Sequence, residues 1–413
     1  MAFRLRLKTL RSITFSLILL VLGGGVGYYF GTGKINAQSV TGLTKVVTNT
    51  QQPIDYEEVD FSLFWEVWRK LERDYLDPKA IDQEKMVYGA IQGMVSALDD
   101  PYTVFLPPVQ QQRTTEDLSG AFEGVGIQLG YIDSQLAVVA PLKGMPAEAA
   151  GVQAGDYILN IKDEAKDLDI DTLGMSLPEA VDYIRGRHDM PVTLTLYREG
   201  EQQSFDVTIK RDTIVIPSVE LEFLDDPDGQ GQLAHLTLSR FGDRTESEWL
   251  ESVEKILANR PDGVVLDLRN NPGGYLNGAV FVSSEFIPSG LVVTQQGRLN
   301  SKQFNVNRRG QLTDIPVVLL VNRGSASASE IVAGALRDRL GATIVGTRTF
   351  GKGTVQSAEE LRNNTGVHIT TARWLLPGGS WIHEEGIEPD IEATNSAETV
   401  DVDEQLEAAL NAF

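Results

Sequence analysis

The chain has 413 residues, too many for one ordinary domain, so we expect two or three domains that each bury a core. Its 36 Lys and Arg against 58 Asp and Glu give a formal charge of −22, which repels phosphate backbones and argues against a nucleic-acid partner. The absence of cysteine excludes disulfides, thiolate zinc sites and cysteine nucleophiles.

The N-terminus carries a targeting signal. Four basic residues within the first eleven precede an uncharged, largely apolar run of 18 residues, 13–30. Such a run can span a bilayer, and basic residues stay on the cytoplasmic side. We assign 1–33 to a signal peptide or membrane anchor, and expect the rest in an extracytoplasmic compartment of the periplasm or thylakoid-lumen type. An anchor is favoured because the run exceeds the roughly 7 to 15 residues of a signal-peptide core and no A-x-A site follows. Residues 34–56 have the composition of a linker.

Two segments after the linker have apolar residues at three- and four-residue intervals, which predicts two amphipathic helices. The first runs from Phe61 to Tyr75 and is rich in aromatic residues, and the second runs from Met86 to Leu98. Asp82 is placed to cap the second helix, and Asp99-Asp100-Pro101 ends it. We predict an N-terminal helical subdomain over 57–114 and assign the aromatic stripe to its core.

Residues 115–212 switch to short strands with one late helix. A glycine-flanked turn comes first, formed by Gly124, Val125, Gly126 and Ile127. Its backbone amides can converge on a carboxylate, and the strand that starts at Ile127 can accept an extended peptide at its edge.

This turn and the segments 141–161 and 176–181 together resemble a PDZ domain of the type found in bacterial proteases. The resemblance implies that the turn binds a free C-terminal carboxylate. It also implies that the adjoining strand and a helix with Ala180, Val181 and Ile184 form a peptide groove. The segment KDEAKDLDIDTLGM is longer and more acidic than is usual in such domains.

From residue 213 the chain alternates strand-like and helix-like segments. Repeated βαβ units predict a mainly parallel sheet, whose function collects at the C-terminal ends of the strands. Two glycine-rich turns lie at such ends, RNNPGG after GVVLDL and NRGSAS after IPVVLLVN. We assign 213–395 to an α/β core and 396–413 to a C-terminal helix or tail. The predicted fold class is therefore α/β multi-domain, with an inserted PDZ-like β-rich domain and an N-terminal helical subdomain.

A serine begins the helix after the second turn. At Ser327, free backbone N–H groups favour an oxyanion, but a capping box with Glu330 would by itself account for a serine there. Lys352 follows 25 residues later between two glycines, and Gln356 lies on the same face of an extended segment. Four strand steps span roughly 13 Å, so only long side chains or a bent strand would let Lys352 and Gln356 meet.

The motifs DLRNNPGG, SASASE and FGKGTVQ occur in this order. With the anchor and the PDZ-like segment, they resemble the C-terminal processing peptidases over about residues 61–389. The resemblance implies that Ser327 is the nucleophile, Lys352 the general base and Gln356 the residue that orients the base. It also places Glu330 close to the site.

The same resemblance implies an oxyanion hole made by the backbone N–H of Ala328 and of Gly273 or Gly274. The expected function is that of a carboxyl-terminal processing serine endopeptidase, which captures protein C-termini through its PDZ domain and cleaves near them. Lys352 must then be neutral. Lowering its pKa from about 10.4 to about 7 or 8 requires an environment that disfavours the cation by roughly 3 to 5 kcal/mol.

Other classes of function remain as alternatives. Residues 346–352 satisfy G-x-x-x-x-G-K, but Gly353 replaces the Ser or Thr of a P-loop and a strand is expected where a helix should begin. A Ser-His-Asp hydrolase would need one of four histidines that show no triad pattern. A membrane-tethered PDZ scaffold or sensor would bind C-terminal tails without hydrolysis. No cofactor or metal site is expected, and the oligomeric state is open.

Overall fold

The computed structural model describes residues 60–227, 229, 231–396 and 402–413. The predicted anchor, 1–33, and the predicted linker, 34–56, lie outside these residues. In the described part of the chain, no helix is long and apolar enough to cross a bilayer. The described residues as far as Ile81 belong to one compact unit, and those from Asp82 onward belong to a second.

The helices are α1 Ser62–Asp74, α2 Gln83–Ser96, α3 Pro108–Ser119, α4 Pro146–Ala149, α5 Leu177–Ile184, α6 Thr245–Asn259, α7 Leu276–Phe286, α8 Ala328–Leu340 and α9 Glu404–Leu410. The strands are β1 Val104–Leu106, β2 Ala121–Gly124, β3 Ile127–Ile132, β4 Gln135–Pro141, β5 Tyr157–Asp163, β6 Leu168–Asp171, β7 Pro191–Tyr197, β8 Phe205–Lys210, β9 Asp212–Val215, β10 Val219–Asp225, β11 Gln232–Leu238, β12 Gly263–Asp267, β13 Leu291–Gly297, β14 Ser301–Asn305, β15 Val317–Val321, β16 Thr343–Gly346, β17 Thr354–Glu360, β18 Gly366–Leu375 and β19 Ile391–Glu392.

The first unit contains the aromatic helix α1. The predicted helix is confirmed, but the prediction that its stripe forms a core is wrong, because no residue of α1 is buried. Phe61 is 55% exposed and Trp65 is 39% exposed. The rings pack mainly against one another, with 5.0 Å between the ring centroids of Phe64 and Trp65. The described residues of this unit add only a short 3-10 turn to α1, so they supply no second layer to cover the aromatic face.

The second predicted helix, α2, belongs to the larger unit. Asp82 caps it as expected, since the Asp82 side chain accepts hydrogen bonds from the backbone N–H groups of Glu84 and Lys85. The predicted helical segment 57–114 also contains a strand, however. β1 pairs antiparallel with β18, so this part of the chain joins a core sheet instead of remaining a separate helical layer. The sequence of β1 is only three residues long, too short for a periodic signal.

A PDZ-type domain is inserted between two paired strands. Strand β2 immediately precedes this domain and strand β9 immediately follows it. The two strands pair antiparallel, from Ala121 opposite Val215 to Gly124 opposite Asp212. Inside, the strand order is β3-β4-β5-β7-β8, with β6 beside β5. Helix α5 contributes Ala180 and Ile184 to a core that includes Leu136, Ile158 and Leu194. Because β2 and β9 are paired, the domain begins and ends at one place in the larger unit.

The α/β core is a six-stranded sheet with the order β10-β11-β12-β15-β16-β19. Only the β10–β11 pair is antiparallel, so the predicted mainly parallel sheet is confirmed. One face packs on α6, α7 and α8 through residues such as Leu266 and Leu319. The alternate residues Val265, Val318 and Leu320 face α9 on the other side. Both faces are covered, which is why these strands read as continuous apolar runs.

A second, antiparallel sheet was not predicted. Its order is β1-β18-β13-β14, with β17 also paired to β18. This sheet brings β1 and β17, which are distant in sequence, alongside the same strand. It therefore places the segment after residue 99 near the segment that begins at Lys352.

A buried ion pair holds the PDZ domain together and generates a stability prediction. Arg211 Nη2 lies 2.7 Å from Asp163 Oδ2, with both side chains 1% exposed, and Arg211 Nε donates to the carbonyl of Ile184. Arg211→Met should destabilise the domain by about 3 to 5 kcal/mol, because it leaves the buried Asp163 carboxylate with only the more distant Lys166, 3.8 Å away, as a cationic partner. Urea denaturation followed by circular dichroism measures the loss.

The adjacent Lys210 provides the matched control. Its ion pair with Asp189 is exposed, with the two side chains 68% and 66% accessible. Lys210→Met should therefore leave the unfolding midpoint almost unchanged. Equal midpoints for the Arg211→Met and Lys210→Met variants would contradict a stabilising role for the buried pair.

Candidate active site

Two turns at the C-terminal ends of neighbouring parallel strands form the floor of the site. The turn after β12 and the turn after β15 are joined by side chains of two serines. Ser325 Oγ donates to the carbonyl of Leu268 at 2.7 Å, and Ser329 Oγ donates to the carbonyl of Asn271 at 2.8 Å. Both serines are fully buried. Their hydroxyls are thus committed to holding the two turns together, whereas the serine between them, Ser327, lines a cavity.

Ser327 is the N-cap of α8 and has an unusual backbone. Its φ of 56° and ψ of −112° lie in a region that L-residues seldom adopt. Such strain is of order 1 to 3 kcal/mol and persists only where neighbouring contacts hold it. Here Glu330 Oε2 accepts the Ser327 backbone N–H at 2.8 Å, the glutamate half of the predicted capping box.

The Glu330 carboxylate is fully buried and accepts four hydrogen bonds. Besides Ser327 N–H, Oε2 accepts the Lys352 N–H at 2.9 Å, while Oε1 accepts the Gly351 N–H at 2.7 Å and the Thr349 hydroxyl at 2.5 Å. Burial raises the pKa of Glu330 although these four hydrogen bonds lower it. One side chain therefore fixes both the start of α8 and the loop that carries Lys352.

The loop of Lys352 is also held from its other side. Two tryptophan indoles donate to consecutive carbonyls, Trp374 to Lys352 at 3.0 Å and Trp381 to Gly353 at 2.8 Å. The Gly353 N–H donates to His383 Nδ1 at 3.3 Å. The sequence WLLPGGSWIHEE gave no local sign of this role, because the contacts span 22 to 30 residues.

The Lys352 amine lies in a half-buried setting. Its Nζ is 5.1 Å from the centroid of the Tyr102 ring, and among the described residues no carboxylate lies within ion-pair distance of it. Burial lowers the pKa of Lys352, and the charges of Asp100 and Glu330 oppose that shift. The environment thus makes the cation less favourable than it is for a lysine in water.

Ser327 and Lys352 open into the same cavity of about 380 Å³. No hydrogen bond joins the Ser327 hydroxyl to the Lys352 amine in the described part of the chain; such bonds often tighten only when substrate is present. Other residues of the cavity wall are Gly273, Gly274, Leu276, Ala328, Ile331, Val355, Gln356, His368 and Trp374.

Gln356 lies in this cavity on β17. The ladder between β17 and β18 shifts register between Val355 and Gln356, so the strand is irregular here. The Gln356 amide does not bond to Lys352. Its Nε2 donates to the hydroxyls of Thr354 at 3.0 Å and Thr370 at 3.1 Å.

The amides expected to form an oxyanion hole are not equivalent. The Gly273 N–H donates to Asn271 Oδ1 at 2.9 Å. Within the described residues, the amides of Gly274 and Ala328 have no acceptor. A Cβ at position 273 would come within 2.9 Å of Ser327 Cβ and 3.0 Å of the Ala328 nitrogen, so only glycine fits beside the serine.

The PDZ-type domain has a small groove of about 80 Å³. All four residues of the predicted carboxylate turn line it, and so do Val181 and Ile184 from α5. The third helix residue expected there, Ala180, is instead fully buried in the domain core. The remaining wall is formed by Phe122, Leu129 and Arg185.

Three residues near the site were not anticipated. Asp100 is predicted only as part of a helix stop and Tyr102 has no predicted role, yet the charge of Asp100 acts on Lys352 and the Tyr102 ring lies near its amine. His368 lines the cavity, and burial followed by the charge of Lys352 lowers its pKa. The only sequence signal was the polar DPYT following a helix.

Two alternatives can be compared with this geometry. A P-loop requires a helix after Lys352, but β17 begins at Thr354. His235 does contact a carboxylate, with Nε2 3.1 Å from Asp267 Oδ2, yet it does not line the serine cavity. In the described residues, no group of three or more His, Asp or Glu side chains is arranged to hold a metal ion.

Comparison with known proteins agrees with this architecture. Residues 232–393 match peptidase family S41, 138–198 match a PDZ domain, and 20–108 match the N-terminal domain of the activating protease CtpB. The carboxy-terminal processing protease CtpA of Bacillus subtilis is 34% identical over 365 residues, 87% of this chain and 75% of the relative. A carboxy-terminal-processing protease of Bartonella bacilliformis is 34% identical over 369 residues, 88% of this chain and 81% of the relative.

One solved structure supports the fold alone. A solved structure described as an S41 protease of Bacteroides fragilis aligns with 87% of this chain and with 98% of its own length, with a TM-score of 0.56 and 16% sequence identity. The fold is thus that of a PDZ-containing peptidase. The chain belongs to the carboxy-terminal processing protease family within peptidase family S41.

The four hydrogen bonds to Glu330 generate a prediction about activity. Glu330→Gln keeps the size of the side chain but replaces one acceptor oxygen by an NH₂ group that faces backbone N–H donors. The loop that carries Lys352 should then move away from Ser327. Because a displacement of reacting groups by about 1 Å can lower the rate about 100-fold, we expect kcat to fall by about that factor. Steady-state peptide hydrolysis measures this. The exposed Glu385→Gln is the control, and equal activity of both variants would contradict the role assigned to Glu330.

Proposed function

We propose that the protein is a carboxyl-terminal processing serine endopeptidase with Ser327 as nucleophile and Lys352 as general base. The observation that carries the proposal is that both side chains open into one cavity, while a single buried carboxylate holds both backbones. A lysine amine can serve as a base only when neutral, and its partly buried setting without an ion-paired acid favours that state.

The reaction is acyl transfer. Lys352 accepts the Ser327 hydroxyl proton as Oγ attacks the peptide carbonyl carbon, and the resulting ammonium gives that proton to the leaving amine as the C–N bond breaks. Water then hydrolyses the ester, with Lys352 again as base. The N–H groups of Gly274 and Ala328 are assigned to the oxyanion, because the Gly273 N–H is already donated to Asn271.

Gln356 is assigned to orient the Lys352 amine, and the PDZ groove to hold the C-terminus of the substrate protein. The turn at Gly124 to Ile127 offers backbone N–H groups, and the apolar wall of Ile127, Val181 and Ile184 suits an apolar last side chain. We place the enzyme outside the cytoplasm and anchor it to the membrane by the basic and apolar segment 1–33.

Two substitutions test the assignment directly. Ser327→Ala should abolish hydrolysis of peptides with a free, apolar C-terminus, and Lys352→Arg should do the same although charge is retained, because arginine stays protonated. The exposed Lys255→Arg is the matched control. Appreciable turnover by the Lys352→Arg variant would contradict the assignment of Lys352 as the general base. Inactivation by Ser325→Ala or Ser329→Ala, with Ser327→Ala active, would show that the wrong serine was chosen.

Comparing C-termini in membrane and extracytoplasmic fractions between wild type and Ser327→Ala identifies the substrates. Tail peptides that accumulate uncut only with the Ser327→Ala protein are expected. If the purified wild type binds such peptides but cuts none, the protein is a tethered tail-binding receptor.

The lowered pKa of Lys352 generates a pH prediction. Below that pKa the base is protonated and inactive, so kcat/KM should rise about tenfold per pH unit along an ascending limb and then level off. Because burial lowers the pKa, the limb should lie below the ordinary lysine value of about 10.4. His368 lines the same cavity and is the other residue that could act as the base. If the ascending limb of kcat/KM disappears in His368→Gln, the titrating group is the histidine and not Lys352.

A further inference from the structure

The glycine turn after β12 is held in place by Phe241, which precedes α6. The Phe241 N–H donates to the carbonyl of Gly273 at 3.0 Å, and the Phe241 carbonyl accepts the N–H of Tyr275 at 2.8 Å. Gly274 lies between these two contacts, and a Cβ on it would overlap the Phe241 carbonyl oxygen, so only glycine fits there. Phe241 therefore fixes the turn on both sides of Gly274 and leaves the Gly274 N–H without an acceptor among the described residues.

The side chain of Asn271 holds the same turn from inside the protein. It is fully buried. Its Oδ1 accepts the Gly273 N–H at 2.9 Å, two residues further on, and its Nδ2 donates to the carbonyl of Leu238 at 2.7 Å. Both partners are backbone groups, and a backbone N–H can only donate whereas a carbonyl can only accept. The Asn271 amide can therefore bind in one orientation only, and the Gly273 N–H stays directed at it.

The backbone of the same residue holds the loop of the candidate nucleophile. The Asn271 carbonyl accepts the Ala326 N–H at 3.0 Å and the Ser329 hydroxyl at 2.8 Å. Ala326 and Ser329 lie on either side of Ser327 in the chain. Asn271 thus fixes the loop of Ser327 with its main chain and the glycine turn with its side chain. It thereby sets the position of the Gly274 N–H relative to the Ser327 hydroxyl.

We propose that Asn271 is a positioning residue for the oxyanion hole. Its side chain engages the Gly273 N–H and so holds the turn in the conformation that leaves the Gly274 N–H free to donate. That donor then meets the oxyanion formed when Ser327 attacks a peptide carbonyl. Such a donor speeds the reaction because it is already in place when the charge develops. The proposal rests on the Ser327 and Lys352 chemistry proposed above and adds the residue that sets its oxyanion donor.

Two substitutions of similar size separate the hydrogen-bond acceptor from the side-chain volume. Asn271→Ala leaves the buried Gly273 N–H unsatisfied, so the turn should relax. Because losing an oxyanion donor costs about 100-fold or more, we expect kcat and kcat/KM to fall together by about 100-fold, with KM nearly unchanged. Asn271→Ser offers a hydroxyl that can accept the same N–H, and should be about tenfold faster than Asn271→Ala. The measurement is steady-state hydrolysis of a peptide by the full-length protein. Equal kcat for the Ala and Ser variants would overturn the proposal.

Asn259 provides the matched control. Its Nδ2 also donates to a backbone carbonyl, that of Lys255 at 2.8 Å, but at the exposed end of α6. Asn259→Ala should therefore leave kcat unchanged. In Asn271→Ala the ascending limb of kcat/KM against pH should keep its position, because other contacts hold the loop of Lys352. A loss of kcat in both variants, or a limb that moves, would contradict a role confined to the oxyanion turn.

Hydrogen exchange of the wild-type protein gives a test that needs no variant. A peptide aldehyde mimics the tetrahedral intermediate, since the Ser327 oxygen adds to its carbon, the hydroxyl proton passes to Lys352 and the aldehyde oxygen becomes the oxyanion. With isotope-labelled glycine and NMR detection, we expect the Gly273 amide to exchange slowly with or without the aldehyde. The Gly274 amide should exchange fast in the free protein and slowly in the adduct. Fast exchange of the Gly273 amide in the free protein would show that Asn271 does not hold the turn.

The same assays distinguish failure of this inference from failure of the proposed function. If Ser327→Ala and Lys352→Arg are inactive but Asn271→Ala has wild-type kcat, the role of Asn271 is wrong and the assignment of nucleophile and base stands. If Ser327→Ala retains turnover, the proposed chemistry itself is wrong, whatever the Asn271 variants do.

Discussion

The whole candidate site depends on one buried carboxylate. Glu330 accepts hydrogen bonds from Ser327, Thr349, Gly351 and Lys352, joining the start of α8 to a loop 22 residues further on. Taking a carboxylate out of water costs several kcal/mol, and the four hydrogen bonds to Glu330 offset this cost. Burial still outweighs them in its effect on the acid, because the pKa of Glu330 is raised. The strained Ser327 backbone is held by the same contacts.

The charge state of Lys352 depends on which group of the lysine Glu330 binds. An acid that bound the amine itself would stabilise the ammonium ion and raise its pKa. Glu330 instead binds the backbone N–H of Lys352, and its remaining lone pairs are taken by other donors. Its charge still raises the pKa of the amine from a distance, as does that of Asp100, yet burial outweighs both. The carboxylate thus positions the lysine without neutralising it as a base.

The sequence predicted those features that are local or periodic. The alternation of strand-like and helix-like segments predicted the mainly parallel sheet, and the two glycine-rich turns, RNNPGG and NRGSAS, were expected at the C-terminal ends of its strands, where they lie. It did not predict that β1 would pair with β18, or that Asp100 and Tyr102 would come to lie beside Lys352, because those contacts join residues about 250 or more positions apart. The prediction that the aromatic face of α1 forms a core was wrong for another reason. The periodicity of a sequence indicates that one face of a helix is apolar, but it does not indicate what covers that face.

The walls of three cavities connect the groove of the PDZ-type domain to the cavity that contains Ser327. Phe122 and Arg185 line both the groove and a middle cavity of about 590 Å³, and Leu118 and Arg240 line both this middle cavity and the one that contains Ser327. The arginines along this route are already paired, Arg185 with Glu116 at 2.9 Å and Arg240 with Asp117 at 3.5 Å. An extended tail that follows these walls would meet little unpaired charge. In the proposed function, contacts with the backbone and apolar side chains of the tail would therefore hold it more than ionic attraction.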